Sequence, residues 1–418
     1  MEYIHSKDIF RLMRDTLKMA DSRVMDHGSR VAYYLFKMLE HRGGYEKFEL
    51  ADLVCLASLH DIGAYKTNNT KDLVGYEYKD PMPHSTYGYL IFKHLSPIPE
   101  YASVILYHHT NYSKLAMLPF EHKEIAEFLN YAEKVDIFSQ AMKDSFNMNM
   151  LQKQVGKVLA PRAHSLFEET VKDEDILNKV KSGAYLAELE EIIDYMIFTN
   201  EDKRKFLEML MFCQGFRSEK SVLDTVTCMS IVEMLGNKMN LSEEEMEQLY
   251  YGSLLHDIGM LAIPREIIEA PRKLTDEEYD KVKTHVHLAE VVLTDHMAAG
   301  VVNLVAAHHE RCDGSGYPRG LRGTQMTRDQ EILQLADTIT ALLGNRAYRA
   351  APMTEEEIVA LIRAEAAGGK YNKTAANVFL KNYDEIIKKV KTRTDEILVT
   401  YRKLNQQYKQ VSGKFKEQ

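Results

Sequence analysis

The sequence predicts an all-α fold of two tandem helical bundles joined by a helical linker. Three observations carry that expectation. Apolar residues recur at helical spacing, as in Val31, Tyr34, Leu35, Met38 and Leu39 or Ile358, Leu361 and Ile362, while alternating strand-like runs are scarce. Only 10 Pro punctuate the 418 residues, several of them in loop-like stretches such as Asp80-Pro81-Met82-Pro83, Ser96-Pro97-Ile98-Pro99 and Gly316-Tyr317-Pro318. His-Asp-Ile-Gly occurs twice, and each copy closes an apolar helix-like run.

Taken in order, the first repeat opens on the apolar helical face of Val31 to Leu39. Leu50, Leu53, Val54, Leu56 and Ala57 form the run that ends at His60-Asp61-Ile62-Gly63. A single His (His84), a His-His pair (His108-His109) and a lone Asp (Asp136) come next. The charged, helix-prone stretch from about Val171 to Arg204 carries no ligand candidate and takes the boundary, which gives units 1–190 and 200–418. Ser242-Glu243-Glu244-Glu245 then reads as a helix start, and Met246, Leu249, Tyr250 and Leu254 lead into His256-Asp257-Ile258-Gly259. Thr275-Asp276-Glu277-Glu278 reads as a capping box. His285, His308-His309 and Asp337 repeat the series. Ala163 to Phe167 resembles Ala375 to Phe379, which extends the duplication, and Lys403 to Lys416 reads as a solvated helix and fraying tail.

The spacings of the two series match. His84 to His108 is 24 residues against 23 for His285 to His308, and His109 to Asp136 is 27 against 28 for His309 to Asp337. Only the first gap differs, 24 residues from His60 to His84 against 29 from His256 to His285, as a loop insertion gives. Two matched sets of nitrogen and oxygen donors imply a tandem metal-site protein. Imidazoles and carboxylates suit iron, manganese, zinc and similar divalent ions, and no Cys stands at a motif position, which disfavours a structural Cys-type zinc site. An Asp beside a His can bridge two ions, and such a pair lowers the pKa of a water and neutralises charge on a phosphoryl group. His5, His41, His94, His122, His164, His287 and His296 fall outside the series and read as ordinary core or surface histidines.

Composition narrows the class. The chain is 45% hydrophobic, enough for a substantial core, and its net charge of -9 argues against a general nucleic-acid binder. No apolar run approaches about 18 residues, so no membrane span is expected, and Met1 to Asp15 lacks the apolar core of a signal peptide. Cys55, Cys213, Cys228 and Cys312 are scattered, as reduced thiols of a cytoplasmic protein would be.

The repeat resembles the HD-domain superfamily of metal-dependent phosphohydrolases, an all-helical fold. The second copy is similar, more narrowly, to the HD-GYP branch, whose members hydrolyse cyclic dinucleotides, chiefly cyclic di-GMP. The residues that carry this are His256-Asp257-Ile258-Gly259, His308-His309-Glu310, Asp313-Gly314-Ser315-Gly316-Tyr317-Pro318, Asp337, and Arg346-Ala347-Tyr348-Arg349. The first copy matches the superfamily from about Asp26 to Asp136, but after His108-His109 it reads Thr110-Asn111-Tyr112-Ser113, without Gly-Tyr-Pro.

The resemblance implies a dinuclear set of His27, His60, Asp61, His84, His108, His109 and Asp136 in the first copy, and His256, Asp257, His285, His308, His309 and Asp337 in the second. Arg23 stands where a trinuclear site would carry Glu, which argues against a third ion. The second copy has no upstream His, and counting back puts Leu223 or Asp224 at that place. The family's Lys after His-Asp-Ile-Gly is Met260, and the second Asp after the lone Asp is Thr340. Gly316, Tyr317 and Pro318 would form a substrate loop, and Arg346 and Arg349 would take phosphate oxygens bidentately.

The resemblance thus implies a phosphodiesterase for a cyclic dinucleotide, cyclic di-GMP foremost, or a related nucleotide. Two divalent ions would serve each working site, iron or manganese favoured and zinc or nickel compatible, with Asp61 and Asp257 as the catalytic carboxylates. Partners are the nucleotide and, at most, a second copy as a homodimer, with neither duplex nucleic acid nor membrane. The complete ligand set weights catalysis toward the first copy, so that changes at His60 and Asp61 should cost more than changes at His256 and Asp257. The incomplete second set keeps a non-catalytic dinucleotide receptor as the alternative, and a diiron oxygenase as a more distant one.

Overall fold

The structure, a computed structural model, describes residues 2–67, 82–215, 218–344 and 351–416. Helices succeed one another throughout, and no β-strand occurs among the described residues. None of the described helices is long and apolar enough to cross a membrane. Two compact units divide the chain: Ile9–Met209 with Leu404–Gln418, and Leu210–Lys403 with Met1–Asp8.

That division differs from a continuous split at 1–190 and 200–418. Tyr3 packs within the second unit, its ring 5.4 Å from that of Tyr251 and its hydroxyl donating to the Glu244 carbonyl at 3.0 Å. Tyr408 joins the first unit, stacked on Tyr87 at 4.1 Å. The stretch read as the boundary belongs to the first unit, where Tyr185 lies 5.5 Å from Tyr33 and Glu190 accepts from Arg11 at 2.6 Å. The helix Asn200–Gln214 runs across the division, as do Ser6–Ala20 and Tyr383–Lys416.

Local chemistry places the helix ends. Asp21 caps the helix Ser22–Arg42 by accepting from the Arg23 amide at 3.1 Å, and Gly43 at φ 71° ends it. The capping boxes expected at Ser242 and Thr275 both form, opening the helices Glu243–Leu255 and Asp276–Thr294. The helices Pro161–Asp173 and Lys373–Lys381 bury Ala163 and Phe167 in one unit and Ala375 and Phe379 in the other, as the weak internal likeness anticipates.

Each unit carries its motif residues on the same succession of elements. The helix Lys47–Ser58 or Glu243–Leu255 delivers the His-Asp turn. Met82–Leu95 or Asp276–Thr294 carries the single His, and Ala102–Tyr107 or Ala299–Ala306 ends at the His-His pair. Lys123–Met142 or Arg328–Leu343 carries the acidic ligand candidates. The motif glycine has one physical reason in both units. A Cβ on Gly63 would sit 2.0 Å from the His84 carbonyl oxygen, and one on Gly259 would sit 2.1 Å from that of His285. Only glycine lets the His-Asp turn press against the helix that supplies the next ligand.

Candidate metal centres

In the first unit Asp61 stands at the centre of a buried cluster. Its Oδ2 faces His60 Nε2 at 3.5 Å and His27 Nε2 at 3.9 Å, while its Oδ1 faces His84 Nε2 at 3.2 Å and His108 Nε2 at 3.6 Å. Ligand atoms of Asp61, His84, His108 and His109 lie within 4.8 Å of one another, as do those of His27, His60 and Asp61. One carboxylate therefore offers an oxygen to each of two imidazole groups, and these residues would hold divalent cations if they bind here.

The donor atoms fit cations. His60 Nε2, His108 Nε2 and both Asp61 oxygens are buried and make no hydrogen bond. Such atoms cost about 1–3 kcal/mol each unless a ligand takes them. The far nitrogens of the same rings are fixed: His60 Nδ1 donates to the Ala57 carbonyl and His108 Nδ1 to the Ile105 carbonyl, both at 2.6 Å. This sets the tautomer that leaves Nε2 as the free lone pair. Burial pushes the His60 imidazole down to about 4 and His109 well below the usual range, so both are neutral at pH 7. Asp61 is held ionised against its burial by the surrounding imidazoles, His60 and His84 first. Neutral imidazoles and an ionised carboxylate are the forms that bind metal.

The second unit repeats the arrangement and opens it. Asp257 Oδ2 lies 3.3 Å from His256 Nε2, and its Oδ1 lies 3.4 Å from His285 Nε2 and 3.9 Å from His308 Nε2. His285 and His308 each donate Nδ1–H to a backbone carbonyl at 2.6 Å, and burial lowers His285 to about 4 and His308 well below the usual range. Burial opposes protonation of His256, but Asp257 and Asp337 outweigh it and hold that ring up at about 9. The Asp257 side chain is 27% exposed against 2% for Asp61. It lines a cavity of about 520 Å³ together with His285, His309 and Asp337.

The Gly-Tyr-Pro loop abuts this cluster. Buried Glu310 accepts from the Arg319 amide at 2.7 Å and the Leu321 amide at 2.8 Å, and Gly316 packs so closely that a Cβ would meet Glu310 Cα at 2.5 Å. Pro318 is thereby fixed beside Tyr317, whose ring lies 4.8 Å from that of His309. Arg346 and Arg349 lie outside the described residues.

Two stretches match known protein families: residues 24–145 and residues 207–374 each match the HD domain. The chain is a tandem HD-domain protein. This tandem HD-domain protein is 26% identical over 385 residues, 86% of its own length and 87% of the relative's, to the 3'3'-cGAMP-specific phosphodiesterase 1 of Vibrio cholerae. It is 27% identical over 260 residues, 61% of its length and 68% of the relative's, to a cyclic di-GMP phosphodiesterase of Thermotoga maritima. The crystal structure of a cyclic GMP-AMP specific phosphodiesterase of Vibrio cholerae shares its fold, with a TM-score of 0.58 at 14% identity over 92% of this chain and 98% of that one.

In one place the tandem HD-domain protein departs from the spacing argument. Asp337 Oδ2 lies 3.2 Å from His309 Nδ1, and the residue in that relation to His109 is Glu133, whose Oε1 lies 3.2 Å from His109 Nδ1. Asp136 is turned to other work: it accepts from His27 Nδ1 at 2.7 Å and from Arg30 at 2.6 and 2.9 Å, on the side of His27 away from Asp61. Gap lengths alone paired the wrong acid, because the stretch from the His-His pair to the acid is shorter in the first repeat. The signal was in the helix itself, where Glu127-Phe128-Leu129-Asn130-Tyr131-Ala132-Glu133 aligns with Glu331-Ile332-Leu333-Gln334-Leu335-Ala336-Asp337. That register sets Asp136 against Thr340. Arg30, one turn beyond His27, left no signal in the ligand spacing.

Asp224 is one of the two residues that counting back sets at the place of the absent upstream His. It lines the cavity with Asp257, His309 and Asp337, and its Oδ2 is 3.6 Å from Lys220 Nζ. Arg23 pairs with Asp21 at 2.7 Å on the surface.

Proposed function

We propose that this protein is a metal-dependent phosphodiesterase that opens a cyclic dinucleotide, with the reacting phosphate held at the second cluster. The observation that carries the reading is the cavity of about 520 Å³ on which Asp257, His285, His309 and Asp337 stand together. That volume lies within the range of small-molecule sites. The donor set at each cluster suits two divalent ions, iron or manganese before zinc or nickel, which when bound supply Lewis acidity and a water of near-neutral pKa.

The chain's own residues do the rest. Asp257 places one oxygen toward His256 and the other toward His285 and His308, and so orients the attacking water between them. In the reaction a water oxygen bonds to phosphorus, the bond from phosphorus to the leaving sugar oxygen breaks, and that oxygen takes the proton. Tyr317, fixed against His309, presents a ring to the substrate, with Gly316 and Pro318 shaping the loop and Arg346 and Arg349 assigned to phosphate. The substrate class is supported by relatives that act on 3'3'-cGAMP and cyclic di-GMP. The first cluster, with Asp61 as its bridging carboxylate, is the more complete cage but the less exposed, so the weight of catalysis moves to Asp257.

The test is incubation of manganese- or iron-loaded protein with cyclic di-GMP and with 3'3'-cGAMP, then separation of products. Linear dinucleotide or mononucleotide, abolished by chelator, is the expected result. Tight binding without any product would favour a dinucleotide receptor instead, a reading motivated by the missing imidazole opposite Asp257.

A further inference from the structure

His60 and His108 are oriented by backbone carbonyls, but His27 is oriented by a side chain that must itself be held. Its acceptor is Asp136, 1% exposed, on the helix Lys123–Met142. A carboxylate so deeply buried is costly unless a cation pairs with it. Arg30 supplies that cation from the same helix as His27, one turn further along. Its Nε donates to one oxygen of Asp136 at 2.6 Å and its Nη2 to the other at 2.9 Å. The second oxygen also accepts from His27 Nδ1 at 2.7 Å. The planar guanidinium fixes the carboxylate by two bonds at once, and the carboxylate in turn fixes the ring.

The second unit supplies an internal comparison. With Asp224 set at the place of His27, the counterpart of Arg30 is Thr227; with Leu223 there, it is Val226, and neither is a cation. The helix register sets Thr340 against Asp136. Thr227 and Thr340 are both buried, and the Thr340 hydroxyl donates to the Ala336 carbonyl at 2.9 Å. Imidazole, acid and guanidinium are thus missing together. We infer that Arg30 is a positioning residue of the first cluster, which holds Asp136 against Nδ1 of His27 and so directs Nε2 toward Asp61, 3.9 Å away. The two clusters then differ by a three-residue module rather than by one ligand. The inference rests on the reading that the first cluster holds divalent cations, and it stands whichever cluster carries the hydrolysis.

The experiment titrates the full-length chain with cobalt(II) and follows the visible absorption of the bound ion. All proteins carry Asp257→Ala, which withdraws the central carboxylate of the second cluster. Arg30→Gln and Arg30→Lys are each compared with and without His27→Ala. Arg30→Gln is expected to weaken cobalt binding about tenfold, the low end for a lost outer partner, and to alter the absorption spectrum. Arg30→Lys, which keeps the charge without the fork, is expected to recover part of that loss. In the His27→Ala background Arg30→Gln should change the affinity by less than about twofold, because no ring remains to be positioned. Where Arg30→Gln alone fails to fold, Arg30→Gln with Asp136→Asn removes both charges and should show the same dependence on His27. An equal loss with and without His27, or an unchanged affinity with His27 present, would overturn the role of Arg30 and leave the metal centre standing. An Asp257→Ala protein that takes up no cobalt would overturn both.

Discussion

The carboxylate of Glu133 lies 3.2 Å from Nδ1 of His109, deep in the first unit. Both of its oxygens are buried and make no hydrogen bond, and the imidazole of His109 and the ammonium of Lys134 hold it ionised against burial. An ionised acid in such a place costs several kcal/mol unless a cation compensates it. Glu133→Gln is therefore expected to lower the metal affinity of the first cluster about 10–100-fold, the range for lost ligands or their immediate partners. Metal titration with elemental analysis measures it, and Asp136→Asn should cost less.

Glycine at the motif carries its own prediction. A methyl group on Gly259 would meet the His285 carbonyl oxygen at 2.1 Å and the Ala289 amide nitrogen at 3.0 Å, both backbone atoms that cannot rotate away. Gly259→Ala should destabilise the second unit by about 1–3 kcal/mol, the usual cost of overpacking, and separate Asp257 from His285. Thermal unfolding reads the first effect and loss of metal the second. Gly63→Ala should act alike in the first unit, where the clash is 2.0 Å.

Stability should also fall with rising pH through one carboxyl outside the clusters. Burial, with Glu100, Glu49 and Asp202 alongside, pushes the Asp52 carboxyl up to about 7. Between its ordinary value near 4 and about 7 the folded protein holds a proton that the unfolded chain has lost. The stability from this group is thus full at low pH and is lost as pH rises through that window. Asp52→Asn should remove the dependence and raise stability at pH 8 by on the order of 1–2 kcal/mol, below the full linkage value because the carboxyl keeps some solvent. Chemical denaturation at pH 5 and pH 8 is the check, and a parent protein more stable at pH 8 than the variant would contradict it.

Much of the fold and of the clusters was legible in the chain. The helical periodicity, the two capping boxes and the duplicated His-Asp-Ile-Gly each correspond to an element where the residues place it. His27, His60, Asp61, His84, His108 and His109 come together as the resemblance implies, as do Asp257, His285, His308 and His309. What spacing could not supply was register within a helix. Glu133 and Asp136 sit on neighbouring turns of Lys123–Met142, and loop length shifted the count from one to the other. Exposure was equally hidden, because a cavity is lined by segments far apart in sequence, such as Lys220, Ile268 and Asp337. The grouping of the chain ends was hidden for a similar reason: the contacts of Tyr3 with Tyr251 and of Tyr408 with Tyr87 are tertiary and leave no local pattern.

Metal removal should be felt by the whole fold. Ligands that bind only the native state stabilise it by about 2.7 kcal/mol at a hundredfold excess over Kd. Chelation is expected to lower the unfolding temperature of the parent and to leave that of a protein changed at both Asp61 and Asp257 nearly where it was.

The most direct measurement compares the hydrolysis of cyclic di-GMP and 3'3'-cGAMP by Asp257→Asn and by Asp61→Asn, each in the full-length metal-loaded chain. A substrate-accessible centre at Asp257 predicts that Asp257→Asn lowers kcat by about a hundredfold or more, while Asp61→Asn costs far less. The opposite order, with Asp61→Asn inactive and Asp257→Asn close to the parent, would contradict it and return the chemistry to the first cluster.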